Sequence, residues 1–335
     1  MIAGERAHVM HQPENSKPAG ALSPLVEFGP QDWLVLGYLC ILNLAGLMAD
    51  PHPMKPRVQL EMLSLLLVLV ATLVLVRWRI VKDNWVGPLI YRLAIYGTVQ
   101  MSYFFFRNYL PVVNPRALDL KLYELDMRFF GIEPAVWFDQ FVTPVTTEWF
   151  AFFYFGYFFV LAVHVIPILF LVRRTRLLGE FTLGMLTLFC TGHVLYMLVP
   201  GFGPFHAMPE HFQHSFPNGL WLDDVMETVA TSGAQKDIFP SLHTGAPTFI
   251  TLFSYRHRGS LPFKYTWPVM AFFAVNIIPA TMFLRWHYLV DVVAGLFLAI
   301  FAQYVAARWT DHELLRRDRL ALSPSWPLFG RAFSK

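Results

Sequence analysis

Charge is what this sequence has least of: Asp, Glu, Lys and Arg make up 15% of its 335 residues, against 56% hydrophobic. A water-soluble domain of this length needs far more charge to cover its surface. The shortage therefore excludes a pair of soluble domains and points to several apolar spans sharing one bundle. Cysteine is nearly absent as well. Cys40 and Cys190 both lie inside apolar runs, which excludes a disulfide framework and a thiolate metal site. No internal repeat or low-complexity tract stands out. Met1 to Asp32 is polar with no apolar core, so it reads as a mobile tail rather than a cleavable signal peptide.

What is present is apolar and rich in Phe, with 32 of them. Eight apolar segments can be drawn: Trp33–Met48, Leu60–Val76, Val86–Phe106, Trp149–Val172, Leu178–Val199, Pro240–Tyr255, Tyr265–Leu284 and His287–Ala307. The expected fold is thus all-α, a polytopic membrane helix bundle of about eight spans. The first and sixth segments are short for a bilayer that needs about 20 residues per helix. Proline-containing breaks at Asp50–Pro53, Val112–Pro115 and Pro200–Pro204 cannot continue a helix. The stretch Arg107–Glu148 mixes apolar and charged residues and is expected to lie along the membrane surface.

Lys and Arg set the orientation. With a cytoplasmic N-terminus, the cytoplasmic side holds Arg77, Arg79, Lys82, Arg173, Arg174, Arg176, Arg256, Arg258, Lys264 and the basic C-terminal residues. The opposite side keeps Lys55, Arg57, Arg107, Arg116, Lys121, Arg128, Lys236 and Arg285. The balance places both termini in the cytoplasm. Four cations between Arg107 and Arg128 on the outer side call for a reason, and anion binding supplies one.

Two strings carry chemistry: Phe239-Pro240-Ser241-Leu242-His243-Thr244-Gly245, and Arg285-Trp286-His287-Tyr288-Leu289-Val290-Asp291. Each opens an apolar segment, and one full span separates them, so both meet the same outer face. His287 and Asp291 are four apart, neighbours on one face of a helix. A carboxylate there accepts the proton of one ring nitrogen and makes the other more nucleophilic. An Asp in a span costs about 2.5–3.5 kcal/mol on insertion scales unless paired, and His287 is the partner at hand. In the first string the N–H groups around His243, Thr244 and Gly245 make an anion site at a helix start.

These strings resemble the second and third signatures of the type-2 phosphatidic acid phosphatase (PAP2) superfamily, P-S-G-H and S-R-x5-H-x3-D. Their forms here, F-P-S-L-H and H-Y-x-x-D, are similar to the branch containing inositol phosphorylceramide synthase. The resemblance covers roughly Val86 to Ala307, a six-span core, and divides the chain into a tail (1–32), two accessory spans (33–85), a catalytic membrane domain (86–308) and a basic cytoplasmic tail (309–335). It implies that His287 is the nucleophile that takes the phosphoryl group, that Asp291 orients it, and that His243 protonates the leaving alcohol. Ser241, Gly245 and nearby amides would hold phosphate oxygens.

The first signature of the superfamily, K-x6-R-P, has no match: Tyr196 to Pro204 holds neither cation, and Thr281 stands six before His287 where an arginine belongs. Arg285, Lys236, Arg107 and Arg116 are the candidates to balance phosphate charge instead. The implied substrate is a phospholipid or lipid phosphate, and the acceptor a lipid hydroxyl or water. The first acceptor makes the chain a headgroup transferase such as an inositol-phosphoryl transferase, the second a lipid phosphatase. No cofactor, metal or nucleic acid is called for.

Rival uses of the same residues are a two-His, one-carboxylate metal site, an ion path through Asp291, His243 and Arg285, and a serine protease built on Ser241. The run Val292–Leu298 below Asp291 offers no polar continuation for a path. His164 and His193 are expected to be hydrogen-bonded core residues, and Arg92, Gln100 and Asn276 to bond between helices. Asp223, Asp224 and Glu227 read as a solvated loop cluster, and Phe152–Phe159 as packing or lipid-facing surface.

Overall fold

The computed structural model describes residues 24–81 and 85–329, and these are helical with no strand among them. Of the tail expected over 1–32, residues 1–23 lie outside the described residues, as do the cations Lys82, Arg331 and Lys335. The helices in chain order are α1 (Pro30–Met48), α2 (Lys55–Arg77), α3 (Val86–Val113), α4 (Asp119–Phe130), α5 (Pro134–Phe138), α6 (Pro144–Phe155), α7 (Tyr157–Leu171), α8 (Thr175–Leu198), α9 (Pro204–Ala207), α10 (Leu220–Ser232), α11 (Leu242–Arg256), α12 (Phe263–Phe283) and α13 (Leu289–Arg319).

Six stretches are long and apolar enough to cross a membrane, as a multi-pass membrane protein requires: α1, α2, α6 with α7, α8, α12 and α13. The two other expected segments fall in α3 and α11. The 15 residues of α11 give about 22 Å at 1.5 Å per residue, short of a bilayer core. Helix α8 is the most enclosed of the six, with 72% of its apolar window buried. It packs against α13, α1, α11 and α3. Around it the bundle turns an apolar coat outward, with Leu44, Leu67, Phe159, Val163, Phe297 and Ile300 all exposed.

Local chemistry moves two expected boundaries. Pro30 opens α1 at a position where a missing N–H costs nothing, and the Asp32 carboxylate accepts the Gly29 N–H at 2.8 Å. Asp32 also pairs with Arg77 at 2.6 Å, both buried, so residues 24–32 belong to the bundle and not to a tail. At the other terminus, residues 309–319 continue α13 as helix. The segment with Asp223, Asp224 and Glu227 is the helix α10 and not a loop, and Asp223 and Glu227 are solvated on it. Gln100 is exposed and makes no bond among the described residues, whereas Arg92 donates to Leu169 O and Trp149 to Asn276. His193 bonds the Tyr38 hydroxyl as a buried core histidine, whereas His164 is half-buried and bonds Val160 O of its own helix.

The bundle has two chemically distinct ends. At one, residues from 24–32, 77–79 and 313–325 meet through Arg79–Glu27, Arg77–Asp32 and Arg317–Glu27 pairs. At the other, the loops after α3, after α8, before α11 and before α13 converge. There Leu118 N–H donates to Pro200 O, Gly201 bridges Asp237, and Phe202 N–H donates to Asp119.

Candidate active site

The two strings meet because α11 and α13 cross at glycine. A Cβ on Gly295 would sit 2.3 Å from Ser241 O, and one on Gly245 would lie 3.2 Å from Gly295 O. Gly245 thus serves the crossing, and the close approach lets Ser241 N–H donate to Asp291 O at 3.0 Å. This tie sets the start of one helix against the start of the other.

His243 and His287 come together with ring centroids 6.1 Å apart. The Nδ1 of His287 lies 3.5 Å from Asp291 Oδ2, just beyond hydrogen-bond length. Among the described residues neither His287 Nδ1 nor Asp291 Oδ1 has a hydrogen-bond partner. The two residues are not, however, on one helical face. Asp291 accepts the Tyr288 N–H at 3.0 Å as a capping box, which starts α13 at Leu289 and leaves His287 in the loop before it. That loop is held by Thr281, whose carbonyl accepts the Trp286 and His287 N–H groups.

Aromatic and acidic neighbours surround the two rings. Tyr154 stacks on His243 at 4.3 Å and Tyr157 lies tilted at 4.3 Å. Both come from the Phe152–Phe159 run, where aromatic density hid their polar tips. Asp237, four residues before Ser241, accepts from Tyr103 at 2.8 Å and is an electrostatic neighbour of His287. The Ile238 backbone approaches the same ring. Neither Asp237 nor Tyr103 stood out in the sequence. The signal was there only as a carboxylate close before the P-S-L-H string. Burial holds the His287 ring down to about 4, with Asp237 opposing the shift.

The phosphate candidates are placed differently. Ser241 is buried and caps α11 by accepting the Thr244 N–H at 3.3 Å. The Leu242 and His243 N–H groups of that first turn remain free of acceptors among the described residues. Arg285 is sandwiched between the Phe212 and Phe216 rings, at 4.1 Å from each, and donates to Asp139 at 2.7 Å and His214 O at 2.6 Å. Lys236 donates to Pro115 O and Arg116 O, each at 2.9 Å, at the end of α3. Arg107 donates to Ala230 O at 2.6 Å, on the last turn of α10. Arg116 is exposed. The structure brings His243, His287, Asp291 and Ser241 together, and ties three of the four cations to protein groups outside this cluster. No group of three His, Cys, Asp or Glu side chains among the described residues is arranged to hold a metal ion.

Two histidine rings 6.1 Å apart, one of them 3.5 Å from a buried carboxylate, thus lie together at the starts of two helices of an all-helical, membrane-type bundle. The family model of the PAP2 superfamily matches residues 120–305, more than half of the chain, and the protein belongs to that superfamily. No curated protein and no solved structure matches the chain.

Proposed function

We propose that this protein is a lipid phosphotransferase that works through a phosphohistidine on His287. The approach of the His243 and His287 rings to 6.1 Å carries this reading, because one phosphoryl group fits between them. A ring nitrogen of His287 attacks phosphorus, and the P–N bond forms as the bond to the leaving oxygen breaks. His243 gives that oxygen its proton. In the second half, the acceptor oxygen attacks phosphorus, the P–N bond breaks, and His243 takes back the acceptor's proton. Asp291 holds the His287 tautomer that keeps a lone pair on the attacking nitrogen. The free Leu242 and His243 N–H groups at the start of α11 suit the phosphoryl oxygens, since no donor must reorganise as charge builds.

A lipid acceptor is favoured over water by an apolar groove of about 250 Å³, lined by Phe152, Gly156, Phe159, Val160, Val163, Trp221 and Phe273. It flanks the helices that bring Tyr154 and Tyr157 to His243. The acceptor is then a lipid hydroxyl, as in the inositol phosphorylceramide synthase-like branch. On this reading α3 also crosses the membrane, α11 does so together with the loop before it, both termini are cytoplasmic, and the site opens on the outer or lumenal face.

The test is incubation of the purified protein with radiolabelled phospholipid, with and without a ceramide or diacylglycerol acceptor. A new phospholipid that appears only with the acceptor supports the transferase. Free headgroup phosphate would make it a phosphatase, and no product would overturn the reading.

A further inference from the structure

The start of α13 is held from a distance. Its first two N–H groups, those of Leu289 and Val290, donate to the two carboxylate oxygens of Asp126 at 2.6 and 2.8 Å. Asp126 belongs to α4, 163 residues away along the chain from Leu289, and it is fully buried. Helix α4 is amphipathic in an inverted sense. Asp119 and Asp126, two turns apart on one face, are buried together with Leu122, while Leu120, Phe129 and Phe130 are exposed. Apart from Leu122, what this helix turns inward is carboxylate, so hydrogen bonds seat it more than apolar burial does. Asp119 accepts the Phe202 and Gly203 N–H groups, and the Tyr288 hydroxyl at 3.3 Å. One face of α4 thus grips both the loop after α8 and the residues that open α13.

Capping alone does not call for this arrangement. A serine, threonine or asparagine beside the helix start satisfies the same N–H groups, and Asp291 already takes the Tyr288 N–H locally. Burying a carboxylate from a remote helix costs desolvation. What it adds is a fixed place in space for the first turn of α13. That turn carries the site. His287 stands two residues before Leu289 and Asp291 directly follows Val290, with His287 Nδ1 3.5 Å from Asp291 Oδ2. Slippage by one residue moves a helix start by about 1.5 Å, and a misplacement of about 1 Å costs a catalytic group about 10²-fold in rate. We propose that Asp126 is a positioning residue of this site, which acts through His287 and Asp291 by holding the first turn of α13 against α4. The two oxygens on two successive N–H groups fix both the height and the rotation of that turn, which a single hydrogen bond does not.

The test sets Asp126→Asn beside Arg77→Ala, which unsettles the opposite end of the bundle, both in nanodiscs. Asp126→Asn replaces one of the two acceptor oxygens by an amide donor. In its folded fraction kcat is expected to fall about ten- to a hundredfold with KM nearly unchanged. The loss should be the same on a lipid alkyl phosphate and on p-nitrophenyl phosphate, because the nucleophile is displaced and the leaving group is not. Arg77→Ala should keep its kcat. If Asp126→Asn does not fold, Asp126→Glu keeps the carboxyl group one methylene away and should lose about three- to tenfold in kcat. The rate effect rests on the phosphotransferase reading of His287, and a second arm does not. In protein labelled with 15N-histidine, the His287 ring signal is assigned by its absence from His287→Ala. It should report one tautomer in the wild type and in Arg77→Ala, and a mixture of two in the Asp126 variant. An unchanged kcat, or equal kcat losses in the Asp126 variant and Arg77→Ala, would overturn the assignment. So would a single unchanged tautomer in the Asp126 variant, even if no substrate is turned over.

Discussion

Carboxylates at the two ends of this bundle are answered in different ways. At the end that holds the described termini they meet cations: Asp32 meets Arg77, Glu27 meets Arg79 and Arg317, Glu180 meets Arg176 and Arg256, and Glu313 meets Arg316 and Arg317. At the site end they mostly meet backbone amides. Asp119 accepts from Phe202 and Gly203, Asp126 from Leu289 and Val290, Glu148 from Trp221 and Leu222, and Asp291 from Tyr288. Burial and the neighbouring Asp126 push the Glu133 carboxyl above the usual carboxylate range. An ion pair between segments, such as Asp32–Arg77 or Arg256–Glu180, locks the two to each other. A carboxylate on N–H groups instead fixes where a loop ends and a helix begins. The site end spends its acids on positioning loops, and among the described residues the Leu242 and His243 N–H groups at the start of α11 are left without acceptors beside the two histidines.

The largest expected effect tests the site end. His287→Ala abolishes turnover and the acid-labile phosphohistidine, and Asp291→Asn loses most of the rate while thermal unfolding in detergent shows the bundle still folded. Labelled enzyme persisting in His287→Ala would move the nucleophile elsewhere. Next is His243→Ala, expected to slow a lipid alkyl phosphate by 10²–10⁴-fold, the range for a lost general acid. The defect should shrink on p-nitrophenyl phosphate, whose leaving group needs no proton. Equal losses on both substrates would refute the general-acid role, and a rescue confined to His287→Ala would reverse the assignments.

At the ion-paired end the effect is on stability. Arg77→Ala leaves Asp32 buried and unpaired, which costs about 3–5 kcal/mol, with kcat of the folded fraction little changed. A variant that loses kcat and keeps its melting temperature would dissolve the contrast between the two ends. A smaller effect lies in pH. Because burial holds His287 down to about 4, the ring stays neutral and nucleophilic above that value. The acidic limb of kcat/KM should fall as pH drops through about 4, whereas an exposed histidine would give a limb near 6.5. Asp237→Asn removes the charge that favours the imidazolium and moves the limb lower still. The smallest effect expected is that of chelation, with turnover unchanged in EDTA. Loss restored by a divalent ion would recast the three residues as ligands.

Much of the fold was legible because its cause is local. Apolar length marked the helices, and proline-containing breaks marked where α1, α3 and α8 stop. The convergence of His243, His287 and Asp291 was legible because each string lies at a helix start and two such starts, one span apart, share a face. The positions of the phosphate candidates were not legible. Arg285, Lys236 and Arg107 read as free outer cations, but carbonyls and a carboxylate from segments far along the chain claim them. Nor did spacing reveal that Asp291 caps Tyr288, which takes His287 out of the helix while keeping its ring nearby.

The sequence by itself determined that the chain forms apolar helices and that two histidines and an aspartate stand at helix starts, because hydropathy and proline act within a few residues. Only the tertiary structure decided which polar groups share the site. Asp237 comes to His287 through loop pairing at Gly201, Tyr103 comes from α3, and Tyr154 and Tyr157 come from a run that reads as lipid-facing. Those meetings depend on the close crossing of α11 and α13 at Gly245 and Gly295. The geometry of such a crossing arises from packing between distant segments, so no single stretch of the chain encodes it.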